Sequence, residues 1–455
     1  MKDLKQKILE NIPQYSPENI AWGSIDEFSH LSGSENGYIT SDAVIQAALD
    51  KYKCVKIDKR AVLYLAKPII MRSGYRLLLD KNQVISNIPG KEQCLIRNEN
   101  IENGFRGAVL HQNPDTDISV DGGIWDAASL RQDARLGTGD PDKFLESAMS
   151  VMIFSNVENI IVRNAEFKNG GSSYALQICN VSHFSVSNLT FIKYGRDGVH
   201  VNGPASFGEI HDLKGRDMGD DMIAINAWDW DVSAITYGTI EYMYIHDNES
   251  QNNEFRLLPG RKMYENSYVD CDIRNMIIEK LSGIYTFKLY CQPNIENAIT
   301  KGYNDVSGTV GRIYNVYFKD IVINEKKSGG FHDLPTNGIF DVCADCNDIY
   351  FENISVDFDK SEFDKINTYF MSVGPLSATW KNDSDNPDDW GEVFSPDDIC
   401  TVDNIHMKNI TFKDGKVTDA KQLVREVHLT LNADYPHTTP KGGTGYGIVK
   451  AVTVE

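Results

Sequence analysis

Residues 157–167 read VENIIVRNAEF, and residues 181–191 repeat the pattern as VSHFSVSNLTF, 24 positions later. In both segments β-branched and aromatic residues alternate with polar ones, which predicts a half-buried strand. The asparagine at the eighth position of each segment, Asn164 or Asn188, is typical of a turn. The same step leads from Asn164 to Asn188 and then to Asp212. A fixed period of this length predicts a solenoid.

Later copies of the strand pattern extend the repeat: IRNMIIEKLSG (273–283), IYNVYFKDIVI (313–323), DIYFENISVDF (348–358) and VDNIHMKNITF (402–412). Helical periodicity is almost absent, and the tight Asn-Gly hairpin turns that a β-propeller or β-sandwich uses are scarce. One repeat per coil, with inward residues stacking roughly 4.7–4.9 Å apart, satisfies the pattern. We therefore predict an all-β fold, a single-stranded parallel β-helix.

The length of 455 residues alone suggests two or three domains, but a solenoid grows by adding coils. We expect one β-helix domain over residues 41–455, with residues 1–40 as an N-terminal extension or cap. The segment SDAVIQAALDKY, which begins at Ser41, predicts a short capping helix with its N-cap at the start. Residues 325–347 and 359–401 are polar and irregular, and we predict that they form long loops.

The composition excludes several classes of partner. The formal net charge is −20, which argues against nucleic acid or an anionic membrane as the main partner. No apolar run approaches the roughly 18 residues of a membrane span. The first twenty residues show no signal peptide and the eight cysteines include only a lone CxxC, so we expect reduced thiols in a cytoplasmic protein. No cofactor or metal is predicted.

The repeat predicts where the adjacent aspartates of the acidic stretch GRDMGDDMIAINAWDWD (215–231) lie relative to the preceding coil. Asp197 precedes Asp221 by one full repeat, so the two are predicted to stack on adjacent coils, with Asp220 beside them. Carboxylates one strand spacing apart disfavour double ionisation, and the pKa of one of them should rise. A protonated and an ionised carboxyl group together supply a general acid and a general base. Glycoside hydrolysis needs such a set.

The register also predicts substrate-binding side chains. The longer step that aligns Asp247 with Asp212 places Arg256 one coil beyond Asp221. The predicted substrate-binding residues are His200, Arg256, Lys288, Tyr285, Tyr290, Trp228, Trp230 and Arg261. Cations would bind an acidic or hydroxyl-rich sugar, and the tryptophans would offer flat ring faces. Structural roles stay open: a salt bridge for Arg256, a hydrogen bond for His200 and loop packing for the tryptophans.

The segments GRDGVHV (195–201) and GDDMIAIN (219–226) resemble the polygalacturonase-type pectinases, in which Asn-Thr-Asp-Gly, Gly-Asp-Asp, Gly-His-Gly and Arg-Ile-Lys follow one another. The resemblance runs from about residue 41 to residue 415. It implies a right-handed parallel β-helix and hydrolysis with inversion at the sugar. It further implies that Asp220 is the general acid, while Asp197 and Asp221 activate water.

The sequence departs from that family at three places. Gly195-Arg196 replaces Asn-Thr, Glu254-Phe255-Arg256 replaces Gly-His-Gly, and Lys288-Leu289-Tyr290 replaces Arg-Ile-Lys. The histidine and one cation are lost, so we expect a linkage other than that of polygalacturonate. The predicted loops could close one end of a cleft and favour exo-action on a short oligosaccharide.

The sequence leaves three functions open. The leading hypothesis is an inverting glycoside hydrolase that acts on an oligosaccharide. A polysaccharide lyase or a sugar-rearranging transferase is the second, with Arg256 or Lys288 as base and calcium at the clustered carboxylates. The third is a non-catalytic carbohydrate-binding β-helix. Whether the chain forms a homo-oligomer also stays open.

Overall fold

The fold is a right-handed parallel β-helix, as predicted. The chain divides into two compact units. The first unit contains Met1–Ala224, Ile235–Tyr237 and Tyr242–Asn253, and the second contains Ile225–Ala234, Gly238–Glu241 and Glu254–Glu455. The computed structural model describes residues 1–91, 93–104, 107–108, 113–129, 150–171, 173–228, 236–264, 267–290, 311–324, 338–361, 369–374, 378–381, 390–393, 399–430 and 444–455.

Helices are few and short in the part of the chain that the structure describes. They are α1 (Lys2–Leu9), α2 (Asp42–Tyr52) and α3 (Ala420–Leu423), with 3₁₀ turns at Pro17–Asn19, Asp26–Leu31 and Glu99–Gly104. The predicted capping helix is α2, which buries Val44, Ile45, Ala48 and Leu49. Ser41 is its N-cap residue but makes no side-chain capping hydrogen bond. The neighbouring Asp42 carboxylate instead accepts a hydrogen bond from the Ala66 amide at 3.0 Å.

The strands follow one another closely along the chain. In order they are β1 (Gly23–Ser24), β2 (Gly33–Glu35), β3 (Tyr38–Thr40), β4 (Cys54–Ile57), β5 (Leu63–Leu65), β6 (Ile69–Met71), β7 (Arg76–Leu79), β8 (Val84–Asn87), β9 (Ile96–Asn98), β10 (Gly107–Ala108), β11 (Asp115–Asp121), β12 (Ile124–Asp126), β13 (Ser150–Arg163), β14 (Glu166–Gly171), β15 (Tyr174–Ser187), β16 (Thr190–Tyr194), β17 (Val199–His211), β18 (Lys214–Met218), β19 (Asp221–Asn226), β20 (Thr236–Tyr237), β21 (Ile240–Leu258), β22 (Gly260–Tyr264), β23 (Ser267–Cys271), β24 (Ile273–Tyr290), β25 (Arg312–Ile323), β26 (Gly338–Cys343), β27 (Asp345–Val356), β28 (Tyr369–Val373), β29 (Ala378–Lys381), β30 (Trp390–Val393), β31 (Ile399–Phe412), β32 (Gly415–Val417), β33 (Val424–Glu426), β34 (His428–Thr430), β35 (Thr444–Val449) and β36 (Val452–Val454).

In the first unit the predicted repeat register is present. Parallel pairing places Arg163 beside Ser187 and Ser187 beside His211, both at the predicted step along the chain. Upstream in the same pair of strands a register shift shortens the step by one position, so that Leu176 pairs with Val199. The inward side chains stack into the apolar core because successive coils repeat the same alternation. The longer step predicted from Asp212 and Asp247 is also present, since Lys214 pairs with Glu249.

In the second unit the strands stack with irregular steps. Met276 pairs with Val316, Val316 with Ile349, and Ile349 with Ile405. The corresponding steps along the chain are 40, 33 and 56 positions. The four repeat copies recognised in the sequence thus occupy adjacent coils. Phenylalanine rings fill the core between them, for example Phe287 and Phe340, whose centroids are 4.5 Å apart.

The two ranges predicted to be loops are not loops throughout. Within 325–347 the structure has β26 and the start of β27, and within 359–401 it has β28, the antiparallel pair β29–β30 and the start of β31. Phe340 and Phe370 are buried there, because their strands supply core residues. The remaining parts of both ranges, apart from a few residues that flank these strands, lie outside the described residues.

Two further observations concern the described part of the chain. None of its helices is long and apolar enough to span a membrane. Its seven described cysteines are free thiols, and six of them are buried.

Candidate active site

Three carboxylates of the first unit converge at the entrance of two stacked strands. Asp197 lies just before β17, Asp220 lies just before β19, and Asp221 is the first residue of β19. The Gly198 amide donates to the Asp221 carbonyl at 3.1 Å, so the two coils lie side by side at this point. One oxygen from each carboxylate lies within 4.8 Å of the others. We call these three residues the acidic triad.

The three carboxylates differ in exposure. The side chain of Asp220 is 20% exposed, whereas that of Asp197 is 2% exposed and Asp221 is fully buried. Asp220 lies beside Arg196, whose Nη1 is 3.5 Å from its Oδ2, and its carbonyl accepts from Asn253 Nδ2 at 2.9 Å. The sequence suggests that all three acids face a cleft, but in the structure only Asp220 is partly open to solvent.

His200 is a partner of Asp197 and not a surface ligand. Its Nδ1 lies 2.6 Å from Asp197 Oδ2, and its ring is fully buried. The ring of Tyr174 stacks on it with centroids 4.0 Å apart. The prediction that His200 binds substrate directly is corrected by this burial. The short separation in sequence lets the imidazole fold back over the turn and hold the carboxylate.

In the second unit the Glu254 carboxylate contacts two of the predicted substrate-binding residues. The Tyr285 hydroxyl donates to Glu254 Oε1, and the Lys288 ammonium forms an ion pair with Glu254 Oε2. Tyr285 and Lys288 are each 7% exposed, and Arg256 is partly buried. Glu254 was not predicted as a site residue. Its signal was present, because a glutamate stands where the pectinase pattern has a glycine.

A column of polar residues, buried except for the partly buried Arg425, continues from Lys288 through the second unit. Strand register places Lys288 beside Asp341, Asp341 beside Ser372, and Ser372 beside Arg425. Burial raises the pKa of Asp341 to about 7, against the lowering influence of Lys288 and Arg425. Burial also lowers the pKa of Arg425, whose guanidinium carbon lies 4.9 Å from the Tyr369 ring centroid. Asp341 was missed because it lies in a range predicted to be a loop.

The remaining four predicted substrate-binding residues are Trp228, Arg261, Trp230 and Tyr290. Trp228 is 4% exposed and packs on Gly260, where a Cβ would lie 2.8 Å from the indole, so a sugar-stacking role is corrected to a packing role. Arg261 lies on the antiparallel hairpin of β22 and β23, and its Nε binds Asp270 Oδ1 at 2.8 Å, which corrects it to a hairpin ion pair. Trp230 and the side chain of Tyr290 lie outside the described residues.

The acidic triad is also the one group in the described part of the chain with the geometry to hold a cation. Calcium binds oxygen ligands at about 2.3–2.6 Å, so two oxygens of one ion lie no more than about 5 Å apart. The spacing of 4.8 Å satisfies this limit. A cation there would share Asp197 with His200.

Comparisons with known proteins bear on the fold. No protein-family model matches the chain, and no curated protein matches its sequence. Among solved structures the chain is similar to an exopolygalacturonase from Thermotoga maritima, with a TM-score of 0.58 and 11% identity over 99% of this chain and 96% of that chain. It is also similar to a polygalacturonase from Erwinia carotovora, with a TM-score of 0.49 and 13% identity over 91% and 99% of the two chains. At this identity the likeness to the first structure supports the right-handed parallel β-helix and does not extend beyond the fold.

Proposed function

We propose that the protein is a glycoside hydrolase that cleaves an oligosaccharide with inversion. The observation that carries the proposal is the unequal exposure of three carboxylates whose oxygens lie within 4.8 Å of one another. Glycoside hydrolysis needs an acid that reaches the leaving oxygen and a base that activates water. One partly exposed and two buried carboxylates fit these two tasks.

The roles follow from access. A general acid has to come within about 2.6–3.2 Å of the glycosidic oxygen, so Asp220, the partly exposed member, is the proton donor. Asp197 and Asp221 are buried side by side, and together they would accept both hydrogens of a bound water and remove one proton. His200 would keep Asp197 oriented for this step.

Two properties of the acidic triad, the separation of its carboxylates and their burial, point to opposite stereochemical outcomes of hydrolysis. Inverting enzymes usually separate their carboxyl groups by about 6.5–9.5 Å, and a separation near 5 Å is typical of retention. The oxygens here are closer than the inverting range. We propose inversion because Asp197 and Asp221 are too deeply buried to attack a ring carbon, while a water molecule is small enough to reach them.

The substrate we propose is neutral. The compared Thermotoga structure is named an exopolygalacturonase, which supports a carbohydrate as the substrate class. In the first unit, however, Arg196 lies beside Asp220, with its Nη1 3.5 Å from Asp220 Oδ2. Cations that already face carboxylates add little affinity for a polyanion. A hydroxyl-rich, uncharged oligosaccharide therefore fits these residues better than polygalacturonate.

The test is a screen of neutral and acidic oligosaccharides with chromatographic detection of products. Asp220→Asn, Asp197→Asn and Asp221→Asn should each lose about 10²–10⁴-fold in kcat while keeping the circular dichroism of the parent. Asp217→Asn, at an exposed position near the end of β18, is the matched control and should keep full activity. Full activity in any of the three triad variants would contradict the catalytic role proposed for that residue. NMR of the first-formed anomer tests inversion.

A second candidate is a cation-dependent lyase, favoured by the compatibility of the acidic triad with calcium. It predicts that EDTA abolishes activity, that calcium restores it, and that the product carries an ultraviolet-absorbing double bond. A hydrolase of the proposed kind is insensitive to EDTA and its products do not absorb there.

A further inference from the structure

A polar groove crosses the outer face of three neighbouring strands in the second unit. It has a volume of about 520 Å³, within the usual range for small-molecule sites, and it is open to solvent. Its lining includes Arg312, Tyr314, Asp345, Asn347, Asp403 and Lys450. None of these residues belongs to the acidic triad or to the column that contains Asp341.

The strand register builds the groove. Arg312 pairs with Asp345 across β25 and β27, and Tyr314 pairs with Asn347, which in turn pairs with Asp403 on β31. Side chains at alternate positions point away from the core, so these residues share one face. Each strand adds a polar group about 4.8 Å from the last, on a rigid support.

The charges in the groove balance. Two cations, Arg312 and Lys450, stand against two carboxylates, Asp345 and Asp403. Arg312 is held by Asp272, with nitrogen–oxygen distances of 2.7 and 3.1 Å. This balance disfavours a polyanion and a polycation alike, because either one would meet a like charge at every step.

Donors and acceptors remain available along the groove. The Asp345 carboxylate accepts from the Thr401 amide at 2.7 Å, and Asp403 accepts from the amide that follows it at 2.9 Å. Within the described residues Lys450 makes no ion pair, and the side-chain oxygens of Asn347 and Thr401 make no hydrogen bond. Alternating donors and acceptors match hydroxyl groups, which both donate and accept.

The lining of the groove includes the aromatic ring of Tyr314. Arg274 Nη1 donates to the Tyr314 hydroxyl at 2.6 Å, and the guanidinium carbons of Arg274 and Arg312 lie 5.8 and 6.0 Å from the ring centroid. These contacts hold the ring in place. A fixed aromatic edge beside hydrogen-bonding groups suits the mixed apolar and polar surface of a sugar.

We propose that this groove is a binding site for a neutral, polyhydroxylated ligand, a short oligosaccharide, separate from the hydrolytic site. A solvent-open polar groove with few apolar contacts should bind with a dissociation constant on the order of 1 mM. The proposal does not depend on hydrolysis, since the groove contains none of the residues proposed to be catalytic.

The experiment is saturation-transfer difference NMR on the full chain with cellotetraose, maltotetraose and mannotetraose as neutral probes and tetragalacturonate as the acidic one. The parent is Asp220→Asn, which prevents turnover of the probes. Asn347→Ala and Lys450→Ala should each weaken binding of a neutral probe about 10-fold or more. Lys408→Ala, an exposed lysine on the same strand as Asp403, is the matched control and should bind like the parent.

Three outcomes would overturn the proposal. Absence of binding by every neutral probe is the first. Binding that both groove variants leave unchanged is the second, because the ligand would then sit elsewhere. Preference for tetragalacturonate, lost in Lys450→Ala, is the third and would make the groove an anion site. Inactivity of the protein on every oligosaccharide would refute the proposed hydrolase function. The binding measurements would still decide independently whether the groove is a binding site.

Discussion

The contact between Asp197 and His200 shows how one short hydrogen bond prepares a buried carboxylate. His200 Nδ1 lies 2.6 Å from Asp197 Oδ2, and both side chains are almost completely buried. A buried carboxylate without a donor is costly, and a ring fixed by stacking on Tyr174 is a donor that cannot rotate away. His200 is therefore a positioning residue that acts through Asp197.

We expect His200→Leu to lower kcat about 10–100-fold and to lower the free energy of unfolding by roughly 1–3 kcal/mol. The acidic limb of the pH profile of kcat/KM should move to higher pH, because Asp197 loses a donor that stabilises its ionised form. His200→Asn keeps an N–H donor and should restore part of both losses. An acidic limb that stays in place in His200→Leu would show that the contact is only structural.

Asp341 predicts a pH dependence of stability. Burial raises the pKa of its carboxyl from 3.8 in the unfolded chain to about 7 in the folded one. The unfolded chain therefore releases this proton first as pH rises, and the stability contributed by the protonated form is lost between about pH 4 and pH 7. The slope cannot exceed about 1.4 kcal/mol per pH unit for one proton.

Asp341→Asn removes that titration. Relative to the parent, its free energy of unfolding should improve as pH rises from 5 to 7, measured by urea unfolding at both values. Asp217→Asn, exposed near the end of β18, should follow the parent across the same range. Identical pH dependence in Asp341→Asn and the parent would contradict the prediction.

The turns of the coils are elements in their own right. Asn164, Asn188, Asp212 and Asp247 occupy equivalent positions and all adopt left-handed backbone angles, with φ between 51° and 57°. Asn188 Nδ2 donates to Asn164 Oδ1 at 2.8 Å, so the turns stack as an amide ladder. Asparagine and aspartate tolerate this conformation better than other residues with a Cβ, which explains why they punctuate the repeat.

Asn188→Ala should lower the free energy of unfolding by about 1–2 kcal/mol, because alanine is strained at positive φ and the ladder bond is lost. Asn188→Gly relieves the strain but not the lost bond, so it should cost less than Asn188→Ala in the same urea titration. Equal losses in the two variants would mean that backbone strain plays no part at this turn.

The whole molecule carries a net charge of −20, which repels itself in the folded state. Salt screens this repulsion, since the Debye length falls from about 30 Å at 0.01 M to about 8 Å at 0.15 M. The individual surface ion pairs that salt also weakens are each worth little.

Raising NaCl from 10 to 150 mM should therefore increase Tm by about 1–3 °C in a thermal scan at pH 7. The scans are run with EDTA so that no divalent cation contributes, and KCl at the same ionic strength should give the same shift. A fall of Tm with salt would show that attractive ion pairs outweigh the net repulsion.

Much of the fold could be predicted from the sequence because each coil of a solenoid is formed by residues that are close together in the sequence. The alternation of residues determined which side chains enter the core, and the fixed repeat determined that Asp197 and Asp221 lie on adjacent coils. In the second unit the repeat copies were recognisable, but their unequal steps of 40, 33 and 56 positions are not a period. Insertions between coils change the sequence spacing and leave the strand spacing unaltered, so the sequence predicts loops where strands such as β26 lie.

The sequence by itself determined the β-helix and the identity of the acidic triad, since both depend on periodic positions along one chain. Only the tertiary structure decided which carboxylate is exposed, that His200 serves Asp197, and that Glu254 and Asp341 accompany Lys288. Burial and hydrogen-bond partners depend on atoms contributed by coils that are remote in sequence. No local pattern encodes them, because they exist only once the coils have stacked.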